Sequence, residues 1–344
     1  MFKLFRLFSQ AEVAIDLGTS RTRVYLKGKG VLIDEPTVLA INTRSDQIIA
    51  LGDSALKMEG KTPPHILISR PIGHGIVVDF EIAEKLVKNL LEKIFRTTFY
   101  SLRPKIFTSL PEEITEVEKK SLEDIMWQVG ARKVFLVERP VAAGIGCKLP
   151  IKEPTASLIV EAGAGLTEIA VVSLSGIVSW RSLKIGGENF DQSIINYTRD
   201  KYGVLLGKST AEEVKIKIGS VLAEKPQEAK VKGKDLATGL PREIILEAEE
   251  IKTAILPQIK LIIQNIRETI ESTPAELVAD IYERGLVLSG GVSLLDGFKK
   301  MVEKEIKTPV HLAAEPCRSV IYGLGYVLED FNNLKEVLAP LATE

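Results

Sequence analysis

Two stretches of the chain share one rhythm of apolar and polar positions. Residues 13–26 read VAIDLGTSRTRVYL and residues 158–172 read LIVEAGAGLTEIAVV. In each, an apolar run closes on an acidic residue, passes through glycine and resumes as a second apolar run. A constant offset of 145 residues, Asp16 to Glu161, also pairs Gly18 with Gly163, Thr22 with Thr167 and Val24 with Ile169. The pattern predicts two hairpins, each with backbone N–H groups projecting into a tight turn. An acid ending the first strand suits a metal ion, directly or through water, and turn amides suit phosphate oxygens. One such hairpin is a common turn. Two at matching places point to a nucleotide held between two related halves.

The remaining periodicity alternates between helix and strand. Ile82, Leu86, Val87, Leu90, Leu91, Ile94 and Phe95 recur at helical spacing and predict a packed amphipathic helix. Thr115 and Glu118 form a capping-box pair before a helix that carries Ile125 and Met126 and stops at Gly130. Residues 133–138 read as a short buried strand. Residues 285–291 read as another that ends in glycines, with a helix expected from about Ser293.

Two stretches are less regular. Residues 31–75 are rich in β-formers and turns. Residues 182–249 predict a helix over 190–202, a capped helix from Thr210, and a hairpin built from AKVKGKDL and PREIILEA. Residues 249–272 then read as a long helix that Pro257 is expected to kink. The plan is α/β, with two cores that each carry one insertion.

Composition narrows the function without naming it. At 344 residues the chain exceeds one ordinary core, which agrees with two halves. A net charge of -1 gives no basic surplus, so nucleic acid is not an expected partner. Cys147 and Cys317 stand far apart, and His65, His74 and His311 lack metal-ligand spacing, so neither a disulfide framework nor a zinc site is expected. Every apolar run is broken short of the roughly 20 residues that span a bilayer.

The start, MFKLFRLFSQ, differs in kind. On a helical wheel Met1, Leu4, Phe5 and Phe8 form one face, with Phe2 at its edge, and Lys3 and Arg6 sit opposite. Such a segment suits an interfacial anchor on anionic lipid, or else a segment packed on its own domain. Phe99, Tyr100 and Leu102, flanked by Arg96, Arg103 and Lys105, form a second apolar cluster. Read alone, that cluster fits a helix end on the core equally well.

The motifs IDLGTSRT, FLVERPVAAGIG, LIVEAGAGLTEIAVVSLSGIV, IGGENFDQSI, STAEEVKIKIGS, LATGLPRE and LVLSGGVSLLDGF follow one another as in a known family. From about residue 11 to about residue 330 the chain resembles the bacterial actin homologues of the MreB and Mbl type. The resemblance implies an actin-like ATPase fold, two RNase H-like cores each with a smaller inserted subdomain, and a nucleotide cleft between them. The expected domains are 11–150, with its insertion at about 31–75, and 151–344, with its insertion at about 182–249. A C-terminal helix over about 316–335 is expected to pack back on the first. The implied ligands are ATP and magnesium.

The implied assembly is a homopolymeric filament on the inner face of the cytoplasmic membrane, helping to determine rod shape by organising cell-wall synthesis proteins. The membrane contacts would be Phe2, Leu4, Phe5, Phe8, Phe99, Tyr100 and Leu102, within residues 1–10 and the second cluster.

Carried over by motif, Asp16, Gly18, Thr19, Ser20 and Arg21 stand at the first phosphate loop, and Gly163, Ala164 and Gly165 at the second. Glu212, Glu213, Val214 and Lys215 lie on the helix that flanks the nucleoside in the family. Gly290, Gly291, Val292, Ser293 and Leu294 close beneath it. Asp16 and Glu161 would reach magnesium, through water. Without the resemblance, Glu212 and Glu213 read as first-turn acids of a helix, and Gly290-Gly291 as an ordinary turn.

Two departures fall where the family positions the attacking water. Leu166 replaces a threonine hydroxyl. Arg139 stands in the sequence Glu138-Arg139-Pro140 where the family has a second glutamate, and a guanidinium cannot accept a proton from water. It can pair with phosphate instead. Glu138 and Thr167 are the neighbouring candidates for the catalytic role, and slow or impaired hydrolysis is expected. Val292 stands where a third glycine is usual, which predicts altered nucleotide affinity.

Two other classes share the glycine hairpins. A sugar or small-molecule kinase would need a general base in its cleft, and no unassigned acid fits. A chaperone ATPase of the heat-shock class would need a peptide-binding domain, for which no room is expected after the last helix.

Overall fold

The computed structural model describes residues 11–97, 103–224 and 226–342. The expected membrane-facing residues, Phe2, Leu4, Phe5, Phe8, Phe99, Tyr100 and Leu102, lie outside the described residues. The chain divides into two compact units. The first holds the described residues up to Pro154, Val172–Ile177 and those from Arg318 onward. The second holds Thr155–Val171 and Val178–Cys317.

The first unit is built on a six-stranded mixed sheet. Its strands are β1 (Glu12–Leu17), β2 (Arg21–Leu26), β3 (Gly30–Pro36), β4 (Lys105–Leu110), β5 (Lys133–Glu138) and the short strand Leu338–Ala339. The order runs Leu338–Ala339, β5, β4, β1, β2, β3. β1, β2 and β3 pair antiparallel as consecutive hairpins, whereas β1 pairs β4, and β4 pairs β5, in parallel. Parallel neighbours need crossovers, and helices α1 (Phe80–Thr97) and α2 (Glu116–Gln128) supply them.

The predicted stripe of α1 is buried, with Leu86, Val87, Leu90, Leu91 and Ile94 packed in one cluster with Val13, Ile15, Leu17 and Ile106 of the sheet. The capping box before α2 is present: Thr115 Oγ1 accepts from Glu118 N at 3.3 Å, and Thr115 N donates to Glu118 Oε2 at 2.9 Å. Helix α3 (Arg139–Gly146) follows β5 directly. It packs on the helix Ser319–Glu329 so closely that a Cβ at Gly323 would overlap the carbonyl of Ala142. Within the first expected insertion, Leu39–Asn42, Gln47–Leu51 and Ile66–Ser69 form a separate three-stranded sheet.

The second unit repeats the plan. Its sheet has the strands β6 (Ser157–Ala162), β7 (Thr167–Ser173), β8 (Gly176–Leu183), β9 (Leu286–Ser289) and β10 (Val310–Leu312), in the order β8, β7, β6, β9, β10, with only the β7–β8 turn and its flanks, Val172–Ile177, falling in the first unit. Helices α4 (Gly187–Tyr202), α5 (Lys208–Ile218) and α6 (Ala248–Glu271) pack on them, with Phe190, Ile194, Ile255, Ile259 and Ile262 buried in the shared core. The hairpin Glu228–Asp235 with Pro241–Glu247 forms as predicted.

Two boundaries differ from expectation. α5 starts at Lys208 behind a Gly207 cap, so Thr210 is inside the helix and caps nothing. The helix expected near Ser293 begins at Phe298, because positive φ at Gly290 and Gly297 confines residues Gly291–Leu294 to a single 3-10 turn. The expected long helix is present as α6, with Pro257 inside it. Its buried isoleucines hold one line against the core, which outweighs the one backbone hydrogen bond that proline removes.

Candidate functional site

The two hairpins close their turns with the same hydrogen bond. Gly18 N donates to Arg21 O at 3.2 Å, and Gly163 N donates to Leu166 O at 2.8 Å. The closure leaves little room for a side chain at Gly18 and tight room at Gly163. A Cβ at Gly18 would stand 2.8 Å from Arg21 O, and one at Gly163 would stand 3.2 Å from Leu166 O.

The paired threonines brace the turns from beneath. Thr37 Oγ1 donates to Gly18 O at 2.7 Å, so in its 2.9 Å contact with Thr22 Oγ1 the proton comes from Thr22. Thr167 Oγ1 donates to Ile185 O at 2.8 Å and is fully buried. Its proton is therefore committed to the backbone. Thr167 thus braces its turn as Thr22 does. Thr19 Oγ1 in turn accepts from Gly75 N at 2.9 Å.

Asp16 stands at the end of β1, opposite Arg23 in the hairpin register. Both carboxylate oxygens face a guanidinium: Arg139 Nη1 is 3.2 Å from Oδ1, and Arg23 Nη1 is 3.4 Å from Oδ2. The network continues through Asp34, which meets Arg23 Nε at 3.2 Å, Arg21 Nε at 2.5 Å and Arg318 Nη2 at 3.2 Å. Burial alone would raise Asp34. The hydrogen bond from Arg21 and the charge of Arg23 win, and hold it below the usual carboxylate range.

Both Asp16 oxygens are therefore engaged by guanidinium groups. Glu161 is buried at the end of β6, and its Oε2 lies 3.6 Å from where a Gly163 Cβ would stand, so its carboxylate overhangs the second turn.

Glu138 ends β5, where burial raises its pKa against the pull of Lys119. Glu112, which composition and spacing did not single out, is pushed up to about 7 by burial and by the charge of Glu138. Two carboxylates with raised pKa values thus stand together in the first unit.

In the second unit several predicted residues converge on Gly187, the first residue of α4. Its ideal Cβ would meet Lys215 Nζ at 3.2 Å, Ala164 Cα at 3.8 Å and Val292 Cγ2 at 3.9 Å. The carbonyls of Gly163 and Ala164 accept the N–H groups of Gly187, at 3.0 Å, and Glu188, at 2.8 Å. The second turn is therefore fastened to the start of α4. Lys215 Nζ donates to Gly187 O at 2.9 Å and pairs with Asp191 at 2.7 Å. Burial drives Asp191 up to about 6 against that pull of Lys215.

Gly290, at φ 82°, is packed so tightly that a Cβ would overlap the backbone of Ala162 at the end of β6. The glycine there brings its turn beside the second phosphate-loop candidate, which an ordinary strand-to-helix turn does not require. Ser293 Oγ donates to Gly290 O at 2.6 Å, and Val292 is buried in the core cluster. Leu294 is exposed, as are Glu212 and Glu213. The two glutamates lie beyond the first turn of α5, which removes their reading as first-turn acids. Val214 is buried in the core.

The residues that motif reasoning missed are Gly187, Asp191, Arg23, Asp34, Glu112 and Arg318. Of these only Arg23 carried a local signal, its hairpin register with Asp16.

The family described as MreB/Mbl protein matches residues 10–336. The chain belongs to the MreB/Mbl family. It is 39% identical over 336 residues to the cell shape-determining protein MreB of Escherichia coli (strain K12), covering 96% of each chain. It is 38% identical over 324 residues to the cell shape-determining protein Mbl of Bacillus cereus, covering 94% of this chain and 97% of the relative. Among solved structures it resembles MreB5 of Spiroplasma citri in two crystal structures, at 30% identity. The ADP-bound structure matches with a TM-score of 0.89 over 96% of this chain and 98% of that chain. The AMPPNP-bound structure matches with 0.90 over 95% and 98%. The MreB/Mbl fold of this chain is actin-like. Among the described residues no helix is long and apolar enough to cross a membrane.

Proposed function

We propose that the chain binds ATP, polymerises into filaments on the inner face of the cytoplasmic membrane, and helps to determine rod shape by organising cell-wall synthesis proteins. The convergence of the Gly163 turn, Lys215 and the Gly290 turn on Gly187 carries this reading. Glycine backbone beside a lysine lets phosphate and ribose approach closely. The Spiroplasma citri relative was crystallised with ADP and with AMPPNP, and the curated relatives are named for cell shape.

In this reading Gly18, Thr19, Ser20 and Arg21 form the first phosphate loop, and Gly163, Ala164 and Gly165 the second. Glu212, Glu213 and Lys215 flank the nucleoside, and Gly290–Leu294 lies beneath it. Membrane attachment rests on the apolar residues within 1–10 and 99–102, each weak alone and multiplied by polymerisation. Hydrolysis is slow, because Arg139 and Leu166 supply no group that accepts a proton from water. Glu138 is the carboxylate left for that role.

Sedimentation with ATP, ADP and a non-hydrolysable analogue, with and without anionic vesicles, tests the reading. Pelleting with ATP and the analogue, enhanced by vesicles, is the expected outcome. Protein that stays in the supernatant under every condition overturns filament formation, and vesicles that change nothing overturn membrane attachment. Phosphate release at the rate of the Escherichia coli relative overturns slow hydrolysis.

A further inference from the structure

The segment that follows α5 is strapped to the segment that follows the Gly290 turn. Ser220 and Asp296 form a parallel β-bridge between them. Val221 N donates to Asp296 O at 2.8 Å, and Ser220 Oγ donates to Asp296 Oδ2 at 2.6 Å. Ser220 is buried, and its oxygen also accepts Ala223 N at 2.9 Å and Leu222 N at 3.3 Å. One hydroxyl thus shapes its own turn and ties that turn to Asp296. The backbones approach closely on both sides of the bridge. A Cβ at Gly297, where φ is 77°, would stand 2.8 Å from Leu222 Cγ. A Cβ at Gly219 would overlap Lys215 O and stand 3.2 Å from Leu295 Cδ1.

These ties join two elements of the second unit, α5 with Glu212, Glu213 and Lys215, and the Gly290–Leu294 turn. The two elements come together at two places. At one, Lys215 Nζ and Val292 Cγ2 stand 3.2 Å and 3.9 Å from the ideal Cβ of Gly187. At the other, the Ser220–Asp296 bond closes. One tie alone would leave the elements free to pivot about it, whereas two fix their separation. A ligand that meets elements already held in place loses less of its binding energy to ordering them. We propose that Asp296, acting through Ser220, is a positioning residue for the nucleoside: it holds the Gly290–Leu294 turn at a set distance from α5. The proposal rests on the nucleotide-binding reading above, which assigns the nucleoside to these two elements. Asp296 itself touches no nucleotide in it.

The test is calorimetric titration of the full chain and its variants with ATP, at a temperature well below the melting point of each. Asp296→Ala should weaken ATP binding about fivefold. Ser220→Ala should weaken it by a similar factor, and the double variant by no more than either, because each change removes the same bond. Asp296→Asn keeps an oxygen acceptor for the Ser220 hydroxyl and should stay within about twofold of the parent. A bond that only stabilises the fold would lower the melting temperature of Asp296→Ala and leave its ATP affinity unchanged, and that result overturns the proposal. Losses that add in the double variant, or an Asp296→Asn as weak as Asp296→Ala, overturn it as well. Absence of ATP binding by the unsubstituted chain overturns the nucleotide-binding reading, and the proposal with it. Asp296 is exposed, so Asp296→Ala and Asp296→Asn decide the matter even if Ser220→Ala does not fold.

Discussion

Lys215 Nζ lies 2.7 Å from Asp191 Oδ1, an ion pair between α5 and α4 in which each side chain is almost wholly enclosed. Removing one member leaves a buried charge alone, which typically costs about 3–5 kcal/mol, whereas replacing both by apolar groups is close to neutral. Asp191→Leu and Lys215→Met singly should therefore destabilise by about 3 kcal/mol, and the double variant should recover most of that loss. Urea unfolding of the three variants decides it. Additive losses in the double variant would show that the pair does not act as a unit.

Glu112 gives the first unit a pH dependence with a definite sign. Its folded pKa of about 7 lies above the ordinary carboxylate value of 4.5, through burial and the charge of Glu138. A group whose pKa is raised on folding contributes stability that is complete below the unfolded value and is lost as pH climbs through the folded one. Stability should thus decline between about pH 4.5 and about pH 7 and then level off. Glu112→Gln should flatten that decline. Denaturation midpoints measured across the interval check it, and a rise in stability over the same range would contradict the assignment.

The turn braces rank themselves. Thr37 is bonded on both sides, to Gly18 O and to Thr22 Oγ1. Thr37→Val strands both partners and should cost about 2 kcal/mol, whereas Thr22→Val removes one terminal donor and should cost about 1 kcal/mol. Thermal or urea melts compare them. Equal costs would mean that the proton order Thr22 to Thr37 to Gly18 is wrong.

Two glycines separate close approach from mere presence. A Cβ at Gly323 would overlap the carbonyl of Ala142, so Gly323→Ala forces the helix Ser319–Glu329 away from α3. The cost should be about 2–3 kcal/mol. At Gly176 the nearest atom to an added Cβ is Ser173 O at 3.9 Å, and Gly176→Ala should stay within about 0.5 kcal/mol of the parent. Soluble yield and melting temperature of the two variants test the contrast.

Features that depend on neighbours along the chain were legible from the residues alone. The apolar alternation and the shared acid-glycine spacing set both hairpins, and the same closing hydrogen bond, Gly18 to Arg21 and Gly163 to Leu166, forms in each. The stripe of α1 and the Thr115 capping box are equally local, since helical period and a three-residue reach decide them. Even Arg23 beside Asp16 follows from hairpin register.

Which distant side chains share a charge was left to the packing of the folded chain. Arg139 reaches Asp16 across 123 positions, and Arg318 reaches Asp34 across 284. A carboxylate carries no mark of its partner in the sequence, because that partner is fixed by which strands lie adjacent and which helix follows them. Asp16 shows this: the parallel pairing of β1 with β4 and β4 with β5, and the start of α3 at the end of β5, bring the Arg139 guanidinium to its carboxylate.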